Sequence, residues 1–181
     1  MLLKADKCCL LMVDVQERLV PAIHEHEQLV ANCAWLIGVA DAVNVPVLVS
    51  EQYPRGLGPT VRPLKELVPQ DNIIEKVHFS CGASPDCLER INDISGGQVV
   101  VAGIEAHVCV LQTALDLVDS GKDVFVVADA VSSRDPRDAE LAIERMREAG
   151  VKVITREMAL FEWAHKAGTQ HFKALSNQFL K

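Results

Sequence analysis

Short apolar runs alternate with longer amphipathic stretches along the whole chain, and that rhythm predicts the fold. Cys8–Val13 (Cys-Cys-Leu-Leu-Met-Val) is uninterrupted apolar sequence ending at Asp14, as expected of a parallel strand buried on both faces. From about residue 25 to 44, Leu29, Cys33, Leu36, Ile37 and Ala40 recur on one helical stripe. Pro46–Ser50 is a second strand after the Asn44-Val-Pro46 break. Residues 51–64 hold three prolines and two glycines, a loop too long to be a plain connector, with a short helical turn before a third strand at Asn72–Val77.

Ser84-Pro85 reads as an N-cap and first helical position for a helix to about Ile94. Gln98–Ala102 is the fourth strand. A helix from about His107 to Ser120 comes next, with Val108, Leu111, Leu115 and Val118 as its core stripe and Gly121 as its stop. Asp123–Ala128 is the fifth strand, Asp135-Pro136 starts a helix ending at Gly150, and Val151–Thr155 is the sixth strand. Residues 157–180 are helical with a break near Gly168. Six strands with intervening helices predict an α/β protein, a three-layer parallel sheet with helices on both faces, in one domain over 1–181.

Composition narrows the classes. An apolar content of 49 % beside 24 % charged residues is the balance of a globular protein, not of a disordered one. Acidic residues outnumber basic ones by 25 to 18, and no Lys/Arg run occurs, which opposes nucleic-acid binding through a basic face. No apolar run approaches a membrane span. Met1–Asp6 leads straight into the first strand, predicting no targeting segment. The six cysteines show neither CxxC nor zinc-ligand spacing, and Cys8, Cys9 and Cys33 fall within apolar elements. They read as reduced thiols of a cytoplasmic protein with no metal site.

In open α/β sheets, ligands bind beyond the carboxyl ends of the strands. Asp14 after the first strand, Lys76 on the third and Cys109 just past the fourth all fall there. The start of a helix favours an anion, so Cys109 is expected to be stabilised as a thiolate. A carboxylate directly after Leu-Leu-Met-Val carries a raised pKa unless paired, and Lys76 is a candidate partner. Together the three make an acyl-transfer site: Cys109 as nucleophile, Asp14 as acid and base, Lys76 as electrostatic support, and backbone N–H groups near Cys109 as the oxyanion hole. His107 and His78 are nearby alternatives for the base. A dinucleotide cofactor is disfavoured, because Gly103-Ile-Glu-Ala-His-Val lacks the GxGxxG glycines and Asp14 would repel a phosphate.

The order Asp14, Lys76 and Gly103-Ile-Glu-Ala-His-Val-Cys-Val110 resembles the isochorismatase-like cysteine hydrolases. Within them it is similar to the subgroup called isochorismatase domain-containing proteins. Ser50-Glu-Gln-Tyr-Pro-Arg-Gly-Leu-Gly58, Lys76-Val-His-Phe-Ser80, Gly103-Ile-Glu-Ala106 and Asp129-Ala-Val-Ser-Ser-Arg134 carry that likeness over nearly the whole chain. The resemblance implies a Rossmann-like sheet, an Asp14–Lys76–Cys109 triad, a cis peptide at Ile104–Glu105, and an oxyanion hole formed by the N–H groups of Glu105 and Cys109. It also implies a homo-oligomer, a dimer or larger.

Two departures narrow the substrate. Nicotinamidases of this superfamily carry a metal-binding Asp-x-His motif after the second strand, whereas Glu51–Pro59 contains no histidine. Enzymes that cleave isochorismate itself typically lack the cysteine, so Cys109 points instead to an amide or related C–N acyl bond. No cofactor is expected. The loop 51–60 is expected to wall the pocket, with Tyr53, Leu57 and Phe79 offering apolar contacts to a small-molecule substrate and Arg55 meeting an anionic group. Gln16 is expected to orient Asp14 or touch substrate. Phe161 and Trp163 are expected to anchor the C-terminal helix or a subunit contact. The competing reading is a catalytically weak relative that serves as a binding or assembly protein.

Overall fold

The computed structural model describes residues 1–181. Its sheet comprises β1 (Cys8–Val13), β2 (Val47–Gln52), β3 (Ile73–Lys76), β4 (Gln98–Ile104), β5 (Asp123–Ser132) and β6 (Lys152–Ile154). The order is β3-β2-β1-β4-β5-β6, and every paired neighbour is parallel. The helices are α1 (His26–Ala42), α2 (Pro54–Leu57), α3 (Arg62–Lys65), α4 (Pro85–Ile94), α5 (Leu111–Asp119), α6 (Pro136–Glu148), α7 (Arg156–Ala164) and α8 (Gln170–Phe179).

Strand alternation feeds two cores, one on each side of the sheet. Cys8, Leu10 and Met12 of β1 pack with α1, α3, α7 and α8, whereas Cys9, Leu11 and Val13 pack with α4, α5 and α6. All six β1 residues are therefore buried, which is why that strand reads as continuous apolar sequence. Helix α1 buries Asn32 and Val39 as well as the predicted stripe, because α7 and α8 close over it.

Three predicted elements differ in detail. Strand β5 runs on to Ser132 rather than stopping at Ala128, because a register shift opposite Val101–Gly103 lets its end pair again with the extended end of β4. Ser84 does not cap the backbone of α4.

The helix after β4 is also rotated from the expected stripe. Ala106–Val110 form one wide turn in which the Val110 N–H donates to the Glu105 carbonyl at 3.2 Å, and α5 begins only at Leu111. The extra residue in that turn rotates the downstream helix by about one position, roughly 100°. The core face of the segment is therefore Val110, Leu111, Ala114 and Leu117; of the predicted stripe Leu111 is buried, while Val108, Leu115 and Val118 are half-buried.

Candidate active site

In a 3-2-1-4-5-6 sheet the chain reverses its direction of growth between β1 and β4, and the crevice at that point is where such folds place ligands. Asp14 leaves β1 there with a left-handed φ of 50°, and Cys109 arrives from the turn after β4. The approach is close. A Cβ on Gly103 would lie 2.1 Å from the Val13 carbonyl oxygen, and Gly103 has a φ of 112°, so only glycine fits. Lys76 comes from the edge strand β3, two strands and therefore about 10 Å from β1. A long side chain is needed to span that gap.

The ion pair it forms is completely enclosed. Lys76 Nζ donates to Asp14 Oδ2 at 2.6 Å, and both side chains have 0 % exposure. The ammonium's other two donors go to Gln52 Oε1 at 2.8 Å and the Phe79 carbonyl at 3.0 Å. Ser50 Oγ donates to Asp14 Oδ1 at 2.7 Å. Ser50 and Gln52 do not stand out in the sequence as site residues. The available signal is a polar Ser50-Glu51-Gln52 run closing a buried strand.

Burial pushes the Asp14 carboxyl up from its ordinary value, against the opposing pull of Lys76, Ser50 and the Cys109 thiol. Burial alone would lower the Lys76 ammonium, but the charge and hydrogen bond of Asp14, together with Cys81 and Cys109, hold the lysine above its usual value. The pair is a base of raised proton affinity beside a permanent cation.

Cys109 is 6 % exposed and interacts with the Asp14 carboxylate. Burial first, and then the Asp14 charge, push its thiol well above the usual range, while Lys76 pulls the other way. The expected resting thiolate is therefore replaced by a neutral thiol. Cys109 lies inside the wide turn rather than at the mouth of a regular helix, and an anion already occupies the site. The thiol held low is Cys87, which is brought down to about 7 by a hydrogen bond from Cys81, against the effect of burial, with further help from Ser84 and Lys76. All six cysteines are free and buried.

The remaining expected residues are distributed unevenly. A cavity of about 450 Å³ opens beside Lys76 between Tyr53–Arg55, Glu75–His78 and Ser84–Asp86. Tyr53, Arg55 and His78 line it, whereas Leu57 and Phe79 do not, and Phe79 has an exposed ring.

Gln16 is fully buried, and its amide is spent on backbone. It accepts from the Gln52 N–H at 2.7 Å and donates to the Gln52 and Gly58 carbonyls at 3.0 and 2.7 Å. Gln16 is thus a strut for loop 51–60, not a substrate contact, because no polar atom is left to offer.

Glu51 is buried and accepts from both the N–H and the hydroxyl of Thr60, at 2.6 and 2.8 Å. The region that bears the metal motif in nicotinamidases thus has its carboxylate already occupied. No three His, Cys, Asp or Glu side chains cluster as metal ligands.

The peptide between Ile104 and Glu105 is cis. The Glu105 side chain turns away to Arg134, and His107 Nδ1 lies 2.8 Å from Ser133 Oγ. His107 therefore faces Ser133, and Asp14 is the group whose charge acts on the Cys109 thiol. Trp163 is buried and donates from its indole to Cys8 Sγ at 3.1 Å, which fixes α7 to β1. Phe161 is half exposed beside Phe172 of α8.

A model of the isochorismatase domain matches residues 8–158. The chain belongs to the isochorismatase family. It is 37 % identical to isochorismatase domain-containing protein 1 of Danio rerio over 94 % of its own length, but spans only 58 % of that longer protein. Isochorismatase domain-containing protein 2 of the same fish is 36 % identical over 92 % of this chain and 83 % of its own. Among solved structures, the MAR1 ribonuclease of Caenorhabditis elegans superposes with a TM-score of 0.92 at 34 % identity, covering 100 % of this chain and 93 % of that one. The fold is that of the isochorismatase-like hydrolases.

Proposed function

We propose that this isochorismatase-family chain is a cysteine hydrolase of small amides or related C–N acyl compounds, working through a thioester on Cys109. The observation that carries this reading is the sealed Lys76–Asp14 pair, with a third neighbour, the Cys109 thiol, facing the carboxylate. Asp14 accepts the thiol proton as Sγ bonds to the substrate carbonyl carbon, so no free thiolate needs to exist beforehand. The carbonyl oxygen becomes an oxyanion held by the backbone N–H groups of Glu105 and Cys109. Asp14 then delivers its proton to the leaving nitrogen as the C–N bond breaks, leaving the thioester. In the second half, Asp14 takes a proton from water, the hydroxide attacks the thioester, and the proton returns to Cys109 as acid is released. Lys76 keeps its charge throughout and holds Asp14 in line.

The substrate enters by the cavity at Tyr53, Arg55 and His78. Tyr53 and Val77 of the cavity wall are exposed, as is Phe79, which supports a homo-oligomer. A formal charge of −7, with Glu75 and Asp86 on the cavity wall, favours a small molecule over the RNA named for the Caenorhabditis elegans relative. No helix is long and apolar enough to cross a membrane, and six free thiols support a reducing, cytoplasmic location.

The alternative, a binding or assembly protein, draws on one observation: the thiol is both buried and held protonated. A panel of small amides assayed with wild type and Cys109→Ala separates the two. Turnover lost in the variant supports the hydrolase. Equal turnover in both refutes the role of Cys109, and tight binding without turnover favours the alternative.

A further inference from the structure

The Asp129–Arg134 motif has no part in the chemistry above, yet its last two residues clamp the turn that carries Cys109. Arg134 spends three donors on the Glu105 carboxylate: its backbone N–H at 3.1 Å and Nε at 3.0 Å to Oε2, and Nη2 at 2.7 Å to Oε1. The guanidinium is 64 % exposed while the carboxylate is 8 % exposed, so the arginine reaches in from the surface to a buried partner. Despite burial, those hydrogen bonds hold the Glu105 carboxyl below its ordinary value.

Glu105 in turn holds the turn by its other end. Its carbonyl accepts the N–H groups of Val108 at 3.1 Å and Val110 at 3.2 Å, the two neighbours of Cys109. A second strap runs beside the first. Ser133, fully buried, accepts the His107 N–H at 3.4 Å and lies against His107 Nδ1, while its own carbonyl takes the His24 N–H at 3.0 Å. The turn bearing the nucleophile is thus fastened on one flank to the β5–α6 connection.

We infer that Arg134 is a positioning residue for Cys109, acting through Glu105 to fix where Sγ meets the substrate carbonyl; the inference rests on the cysteine-hydrolase reading. An error of about 1 Å in attack geometry costs on the order of 100-fold in rate without weakening substrate binding, so the effect belongs in kcat. A lysine supplies the charge but not the two-pronged fit.

The test compares wild type, Arg134→Ala, Arg134→Lys and Glu105→Gln with Cys109→Ala as the reference. Arg134→Ala is expected to lower kcat by about 10-fold or more with KM within about 3-fold, and Arg134→Lys to recover only part of the loss. The Glu105→Gln/Arg134→Ala pair is expected to be little worse than Arg134→Ala alone, since both break one link. Melting temperature should fall modestly in Arg134→Ala, because the Glu105 carboxylate is left without its counter-ion, and less in Glu105→Gln/Arg134→Ala, which removes that charge as well.

A readout independent of any substrate accompanies this: iodoacetamide should modify Cys109 more slowly or unevenly in Arg134→Ala at fixed pH. Unchanged kcat and unchanged alkylation overturn the inference. So does a loss of rate that merely tracks a large loss of thermal stability in every variant. If Cys109→Ala retains turnover, the hydrolase reading itself has failed, a result that no Arg134 variant can produce.

Discussion

Lys76→Met removes the cation of a fully enclosed ion pair and leaves its carboxylate behind. Three bonds vanish with Nζ, those to Asp14 at 2.6 Å, Gln52 at 2.8 Å and the Phe79 carbonyl at 3.0 Å. Taking one partner from a buried pair costs about 3–5 kcal/mol, because the remaining charge has neither water nor counter-ion. In a chain of this size each kcal/mol moves Tm by about 2–4 °C, so the drop is roughly 6–20 °C.

The loss has a pH signature. Without Lys76 to oppose it, burial drives the Asp14 carboxyl further up from its already raised value. A folded-state value above the unfolded one means that the native state binds more protons, so stability is highest at low pH and falls as pH rises through the folded value. The deficit against wild type should therefore widen as pH rises above the ordinary aspartate range. Asp14→Asn/Lys76→Met, which removes both charges, should be more stable than Lys76→Met alone. Thermal unfolding followed by circular dichroism at constant ionic strength measures all of this. A Tm drop below about 2 °C, or a deficit that shrinks with rising pH, would refute a buried, mutually dependent pair.

Three other outcomes are expected from the same geometry. The acidic limb of kcat/KM should lie above the ordinary aspartate value, with the rate rising as Asp14 loses its proton, and Asp14→Asn should abolish turnover together with that limb. Gly103→Ala should destabilise by about 3 kcal/mol or more, or fail to fold, since its Cβ would meet the Val13 carbonyl at 2.1 Å; chemical denaturation reads the result, and a near-neutral effect would contradict the close β1–β4 approach. In native alkylation mapped by peptide mass, Cys87 modification should rise through about pH 7, whereas Cys109 should show no inflection there; the reverse pattern would mean that the thiolate had been assigned to the wrong cysteine.

Strands β1 and β4 are legible because burial on both faces leaves an unbroken apolar run, and Asp14 because a carboxylate at the end of such a run stands out. Lys76 and Cys109 are legible by position once the strand ends are placed. The α5 stripe is not. The wide turn at Ala106–Val110 depends on Glu105 accepting two N–H groups, and no periodicity announces an inserted residue.

Ser50 and Gln52 look like solvated strand-end residues until the ion pair they serve is seen. The low thiol of Cys87 depends on Cys81, six residues earlier, folding back onto it. The brace from Arg134 joins residues 29 positions apart, a distance over which sequence spacing carries no geometric information.

The most direct test of the central claim is the site of acylation. The protein is mixed with an activated acyl donor such as p-nitrophenyl acetate, quenched in acid at short times, and mapped by peptide mass. The account predicts one acetyl group on the peptide carrying Cys109, rising and then clearing by hydrolysis in wild type, and absent in Cys109→Ala and Asp14→Asn. Turnover of the donor with no acyl group on Cys109 at any time, or with the same labelling in Asp14→Asn, would contradict it.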